Sequence, residues 1–213
     1  MLRNEQDTKT PSPEVGRNEP AASSNLAELE SESCSSNNEL LAEVVAACQR
    51  GESDARQRLY EVCNQKVSRL VIRMVGSQEA PDLTQQVFLK LFRSIGQFGG
   101  HARFETWLYR LVVNECLQFF RSNGRVPRGT SPTELLDRRP AHTTQIQHRE
   151  LLELALQRID PDLRCIFLLR EIDGLSYDKI AKVLDISAGT VGSRLNRARA
   201  QLQERLYELG WEF

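Results

Sequence analysis

Residues 175–202 read LSYDKIAKVLDISAGTVGSRLNRARAQL. The second half of this stretch sorts cleanly on a helix of 3.6 residues per turn. Val191, Leu195, Ala198 and Leu202 fall on one face. Thr190, Ser193, Arg194 and Arg197 fall mostly on the other. No acidic residue occurs between Asp185 and Glu204. An apolar spine backed by a Thr/Ser/Arg face without carboxylates suits a groove lined with phosphates. The first half supplies a partner helix. Ser176 is placed to cap it, and Ile180, Ala181 and Leu184 recur at helical spacing. Asp185-Ile186-Ser187 is a short turn, and Ser187 can cap the second helix. The pattern predicts a helix-turn-helix that reads DNA. An ordinary helical hairpin shares the periodicity but does not account for the acid-free polar face.

Two more helices precede the pair. Asp160-Pro161-Asp162 combines an N-cap, a proline at the first helical position and a carboxylate in the first turn. Gly174 closes the helix that follows. Leu151, Leu152, Ala155, Leu156 and Ile159 mark another amphipathic helix. Residues 148–213 are therefore expected to form a small helical module.

The chain divides by composition. Residues 1–37 are rich in Ser, Glu, Asn and Pro, with three basic and seven acidic residues. They read as a disordered acidic tail, without the basic start and apolar run of a secretory signal. No apolar run approaches a membrane span, so no membrane insertion is expected. Residues 38–213 carry a net charge of +3. That is low for a free-standing DNA binder, so either the DNA contact is local or another protein supplies much of the affinity. Cys34, Cys48, Cys63, Cys116 and Cys165 show no CxxC spacing, and His101, His142 and His148 do not complete a metal set. Scattered cysteines suit a reducing, cytoplasmic setting. No metal or cofactor is expected.

Residues 38–122 hold a second helical module. Leu40, Leu41, Val44, Val45 and Cys48 share a face. Leu59, Val62, Val67, Leu70, Val71 and Met74 continue over the next helix or two. Ala80-Pro81-Asp82 opens a helix that Gly96, Gly99 and Gly100 break, and Phe104–Arg121 follows. With no strand alternation, the class is all-α. Phe98, Phe104, Trp107, Tyr109, Phe119 and Phe120 crowd one region, interleaved with Arg103, Arg110 and Arg121. Aromatic faces with guanidinium groups are what unstacked bases pack on, although several of these rings are expected in the core. Trp107 and Tyr109 cannot share a side of one helix, so one of them should lie nearer the surface. Residues 123–147 carry three prolines and four arginines and read as a flexible linker, about 28 Å across as a coil and roughly 80 Å when stretched.

In that order, the motifs resemble the extracytoplasmic-function (ECF) sigma factors of the sigma-70 superfamily, over residues from about 40 to 209. DLTQQVFLKLF (82–92) resembles the region 2 helix that docks on RNA polymerase. RFETWLYRLVVNECLQFFR (103–121) resembles the part of region 2 that opens and reads the minus-ten element. DPDLRCIFLLREIDGLSYDKIAKVLDISAGTVGSRLNRARAQL (160–202) resembles region 4, which reads the minus-thirty-five element, and GTVGSRLNRAR is its most specific piece.

The resemblance implies roles. Asp82, Gln85, Gln86 and Phe88 would dock core polymerase. Arg103, Phe104, Trp107, Arg110 and Asn114 would serve the minus-ten element, with the loop Gly96–Arg103 trapping a flipped base. Ser187, Thr190, Ser193, Arg194 and Arg197 would read the minus-thirty-five element. The implied partners are core RNA polymerase, promoter DNA and an anti-sigma factor. Lys179 and Gln86 stand where an acid is frequent in the family, and Gly192 where a lysine is. The competing reading is a dimeric helix-turn-helix regulator that binds a palindromic operator without polymerase. An enzyme is poorly supported. The histidines are not placed to orient a Cys or Ser nucleophile, and no GxxxxGK[ST] stretch is present.

Overall fold

The computed structural model describes residues 40–123 and 144–211. The acidic tail and most of the linker lie outside the described residues. The order of elements is α1 (residues 40–49), α2 (Ser53–Val75), α3 (Ala80–Ser94), a 3-10 turn (Ile95–Gln97), α4 (Phe104–Ser122), α5 (Thr144–Gln157), α6 (Pro161–Phe167), a wide π turn (Leu168–Ile172), α7 (Tyr177–Leu184) and α8 (Ala188–Glu208). The described residues are all-helical, with no strand among them.

Local chemistry sets the helix ends. Gly76 stops α2 at φ 96° and donates its N–H to the Ile72 carbonyl at 2.8 Å, a backbone angle that side chains other than glycine rarely adopt. Pro81 sits in the first turn of α3, where its missing N–H costs nothing. Asp160 caps α6 by accepting from the N–H groups of Asp162 and Leu163. Ser176 accepts from Lys179 N–H and Ser187 from Thr190 N–H, as their place before each apolar run predicts. Leu59 through Met74 form one helix rather than two, and Val62 points outward at 55 % exposure. The last four residues assigned to the linker, 144–147, are already helical in α5.

From Leu41 onward the described residues make one compact unit. Its buried side chains form a continuous cluster. Leu59, Val67, Met74, Leu91 and Val112 come from the first helical group, and Ile159, Ile166, Leu168, Ile180 and Leu195 from the second. Burying each large aliphatic side chain contributes about 1.5–3 kcal/mol. The two groups meet where α4 lies against α7 and α6, and α2 against α5 and α6.

Arg164 bridges them. It is 2 % exposed and donates from Nη1 to the Met74 carbonyl and from Nη2 to the Ile159 carbonyl at 3.3 Å. Its guanidinium carbon lies 5.5 Å from the centroid of the Phe120 ring. Met74 is in the last turn of α2, whose carbonyls lack intrahelical donors, so a cation suits that end. A second bridge runs from the π turn. Asp173 accepts a hydrogen bond from the Tyr109 hydroxyl of α4 and feels Lys66, Arg73 and Arg69 of α2.

Candidate nucleic-acid interface

The recognition helix has the predicted two-faced build. Val191, Leu195 and Ala198 are fully buried and Leu202 nearly so. Ser187, Ser193 and Arg197 are exposed, and Thr190 and Arg194 are half-buried at the edge of the polar face. Ser187 fixes the first turn twice. Its hydroxyl accepts from Thr190 N–H at 3.1 Å and lies 2.8 Å from the Thr190 hydroxyl. The turn before it reverses through Asp185 at φ 56°, a left-handed conformation that Asp tolerates better than most side chains. Five of the sequence-predicted residues are thus gathered on one rim of one helix. The first carboxylate after them is Glu204, more than a turn beyond Arg197.

The predicted minus-ten residues divide. Phe98, Phe104 and Trp107 form a three-ring cluster with centroids 5.3–5.7 Å apart. Phe104 is buried and Trp107 half-buried, so Phe104 supports the cluster from beneath while Trp107 reaches the surface. Tyr109 is buried, 7 % exposed, which answers which of Trp107 and Tyr109 faces out. Arg103 and Asn114 are exposed on α4 and its N-cap. Gly100, at φ +71°, turns the loop that links Phe98 to this helix. Arg110 is exposed but committed. Its Nη2 donates to the Lys182 carbonyl at 2.6 Å and its Nε to the Val183 carbonyl at 3.4 Å, both at the end of α7.

Asp82, Gln85 and Gln86 line the outer side of α3. Leu89, on the same helix, is 50 % exposed. Phe88 turns inward at 4 % exposure, its ring 4.6 Å from Tyr60, so it anchors the helix and does not form part of the outer face.

Lys66 pairs with Glu105 at 2.7 Å and lies 5.7 Å from the centroid of the Tyr109 ring. Burial, then the neighbouring Asp173 charge, pushes the Tyr109 hydroxyl up. Burial likewise pushes the Cys63 thiol up to about 11 and the Cys116 thiol to about 12, which leaves both protonated at neutral pH and suits core residues. Among the described residues no helix is long and apolar enough to cross a membrane.

Residues 59–126 match the description "Sigma-70 region 2" and residues 149–202 match "Sigma-70, region 4". The ECF RNA polymerase sigma-E factor of Haemophilus influenzae is 33 % identical over 183 residues, covering 78 % of this chain and 95 % of that protein. The chain belongs to the ECF sigma factors. The Escherichia coli sigma-E factor matches at the same identity, over 78 % of this sigma factor and 94 % of its own length. Two solved structures share the fold. CnrH in complex with the cytosolic domain of CnrY has a TM-score of 0.58 at 20 % identity, covering 78 % of this sigma factor and 96 % of that chain. RpoE in complex with the anti-sigma factor NepR from Bartonella quintana has a TM-score of 0.55 at 22 % identity, covering 72 % and 98 %. As an ECF sigma factor the protein directs core RNA polymerase to specific promoters, and the free-standing dimeric regulator is not favoured. Core polymerase as a partner at the promoter fits the low net charge of +3 over residues 38–213.

Sequence reading missed Arg164 and the Tyr109–Asp173 pair. Each joins residues far apart in the chain, and a lone Arg in an apolar run gives little signal of its eventual partner.

Proposed function

We propose a division of labour along the sigma factor. Residues 38–122 act as the region 2 unit and 148–213 as the region 4 unit. Residues 123–147 link them, and 1–37 form an acidic tail. Asp82, Gln85 and Gln86 dock core polymerase, with Phe88 holding their helix in place. Arg103, Trp107, Arg110 and Asn114 take the single-stranded minus-ten element, with Phe104 beneath them. The rings beside the loop Gly96–Arg103 offset the few kcal/mol, roughly, of unstacking a base. Ser187, Thr190, Ser193, Arg194 and Arg197 enter the major groove at the minus-thirty-five element. The protein catalyses nothing itself and works in the cytoplasm beside polymerase. An anti-sigma factor is proposed as its regulator, by analogy with the relative solved with one.

The observation that carries this reading is α8, with a buried apolar spine and an outer face of hydroxyls and guanidiniums. Its test is run-off transcription with core polymerase on a promoter of the protein. Arg194→Ala and Arg197→Ala are each expected to weaken minus-thirty-five binding by about 1–3 kcal/mol if the side chain reads a base. Unchanged output from both variants would move the reading face elsewhere.

A further inference from the structure

Arg110 belongs to the set of side chains proposed to meet minus-ten DNA, yet its guanidinium is spent inside the protein. It caps α7, the first helix of the helix-turn-helix. Lys182 and Val183 are the two residues before the last of that short helix, and their carbonyls lie where intrahelical donors run out. Arg110 supplies the missing N–H groups at 2.6 and 3.4 Å. The negative end of the helix dipole and the Asp185 carboxylate, 3.9 Å from Nη2, both favour a cation there. The contact is not isolated, since α7 lies along α4. The polar face of α8 is not used by it, as Ser193 and Arg197 remain exposed.

Promoter geometry sets these contacts against DNA binding. Two DNA sites about two helical turns apart are separated by roughly 70 Å. With α4 touching α7, one molecule cannot place α4 on one site and α8 on the other. The Arg110 contacts with α7 must break for both elements to be held at once.

We infer that Arg110 is a two-position latch. In the protein alone it fastens α7 to α4 and is withheld from DNA, while the recognition face of α8 stays available. Minus-ten single strand competes with the α7 carbonyls for its guanidinium. The inference rests on the reading of α4 as the minus-ten helix. By linkage, a strand that takes Arg110 must loosen α7 to the same degree that the α7 contact weakens strand binding.

The test is hydrogen exchange followed by mass spectrometry on the full chain without polymerase. The probe is the non-template single strand of a promoter that the protein transcribes with core. Saturating strand is expected to slow exchange in α4 and, in the same sample, to speed exchange in α7 several-fold. Arg110→Ala is expected to speed α7 exchange by about ten-fold without DNA, a modest size because the guanidinium is half exposed and one of its two bonds is long at 3.4 Å. Added strand should then leave α7 in that variant unchanged. If Arg110→Ala leaves α7 protection at the wild-type level, the latch is wrong. If strand protects α4 while α7 stays as slow as before, the competition is wrong. If Arg110→Ala frees α7 and binds strand more tightly than wild type, Arg110 fastens α7 but has no second position on the strand, and the two-position latch is wrong.

Discussion

Replacing Arg164 separates what its charge contributes from what its carbon stem contributes. The guanidinium donates to two carbonyls, Met74 and Ile159, and is almost wholly buried. No carboxylate is paired with it among the described ion pairs, and its buried Nε has no acceptor. Burial lowers its pKa from the usual 12.5 to about 10, a penalty of about 3 kcal/mol for keeping the charge. Two hydrogen bonds from a charged donor return about 1.5–3 kcal/mol each. The polar balance is therefore small, on the order of 0–3 kcal/mol in favour of Arg.

The stem adds to this. Truncation to Ala removes two methylenes worth about 0.8 kcal/mol each and leaves a void that adds to the cost. Arg164→Ala is expected to destabilise the fold by about 3 kcal/mol, and Arg164→Met, which keeps the stem, by about 1 kcal/mol. Urea unfolding followed by far-ultraviolet circular dichroism gives both values, provided the m-values agree. Equal losses above about 3 kcal/mol in both variants would mean that the hydrogen bonds dominate and the stem counts for little. Losses near zero in both would remove Arg164 from the contact between the helical groups.

Gly192→Ala is expected to stabilise the protein by up to about 1 kcal/mol, because the added Cβ would meet a Tyr177 ring carbon at 3.6 Å, an ordinary contact. A lower thermal midpoint would show that the site is tighter than this distance implies. Asp173 predicts a pH effect. Burial raises its carboxyl above the ordinary value despite Lys66, Arg73 and Arg69. Its contribution is therefore fully present below the unfolded carboxylate pKa and is lost as pH rises through the raised native value. Asp173→Asn should accordingly be more stable than wild type near neutral pH, with the gap closing in acid. A gap that widens in acid would mean that the three cations outweigh burial.

Much of this was legible in the chain because helices report themselves locally. Asp160, Ser176 and Ser187 cap where an oxygen just before an apolar run must cap, and the spine Val191–Leu195–Ala198–Leu202 follows from spacing alone. The outward face of α8 then follows by exclusion. What the sequence hides is contact between distant segments. Phe88 and Phe104 lie in motifs that resemble contact surfaces, yet both turn inward, because an amphipathic helix carries its supporting residues within the same motif. The meeting of α4 with α7 leaves no periodic signal either. One part of it, Arg110, finds two helix-end carbonyls more than seventy residues away, and every polar arginine looks alike in a sequence.

The most direct measurement is co-purification of the full chain with bacterial core RNA polymerase, followed by run-off transcription on a genomic promoter library. Stable binding to core with new, selective transcripts is the expected result, and it would deliver the promoter sequence together with the activity. Failure to bind core, combined with sequence-specific duplex binding by a dimer of the protein alone, would contradict promoter recognition through polymerase.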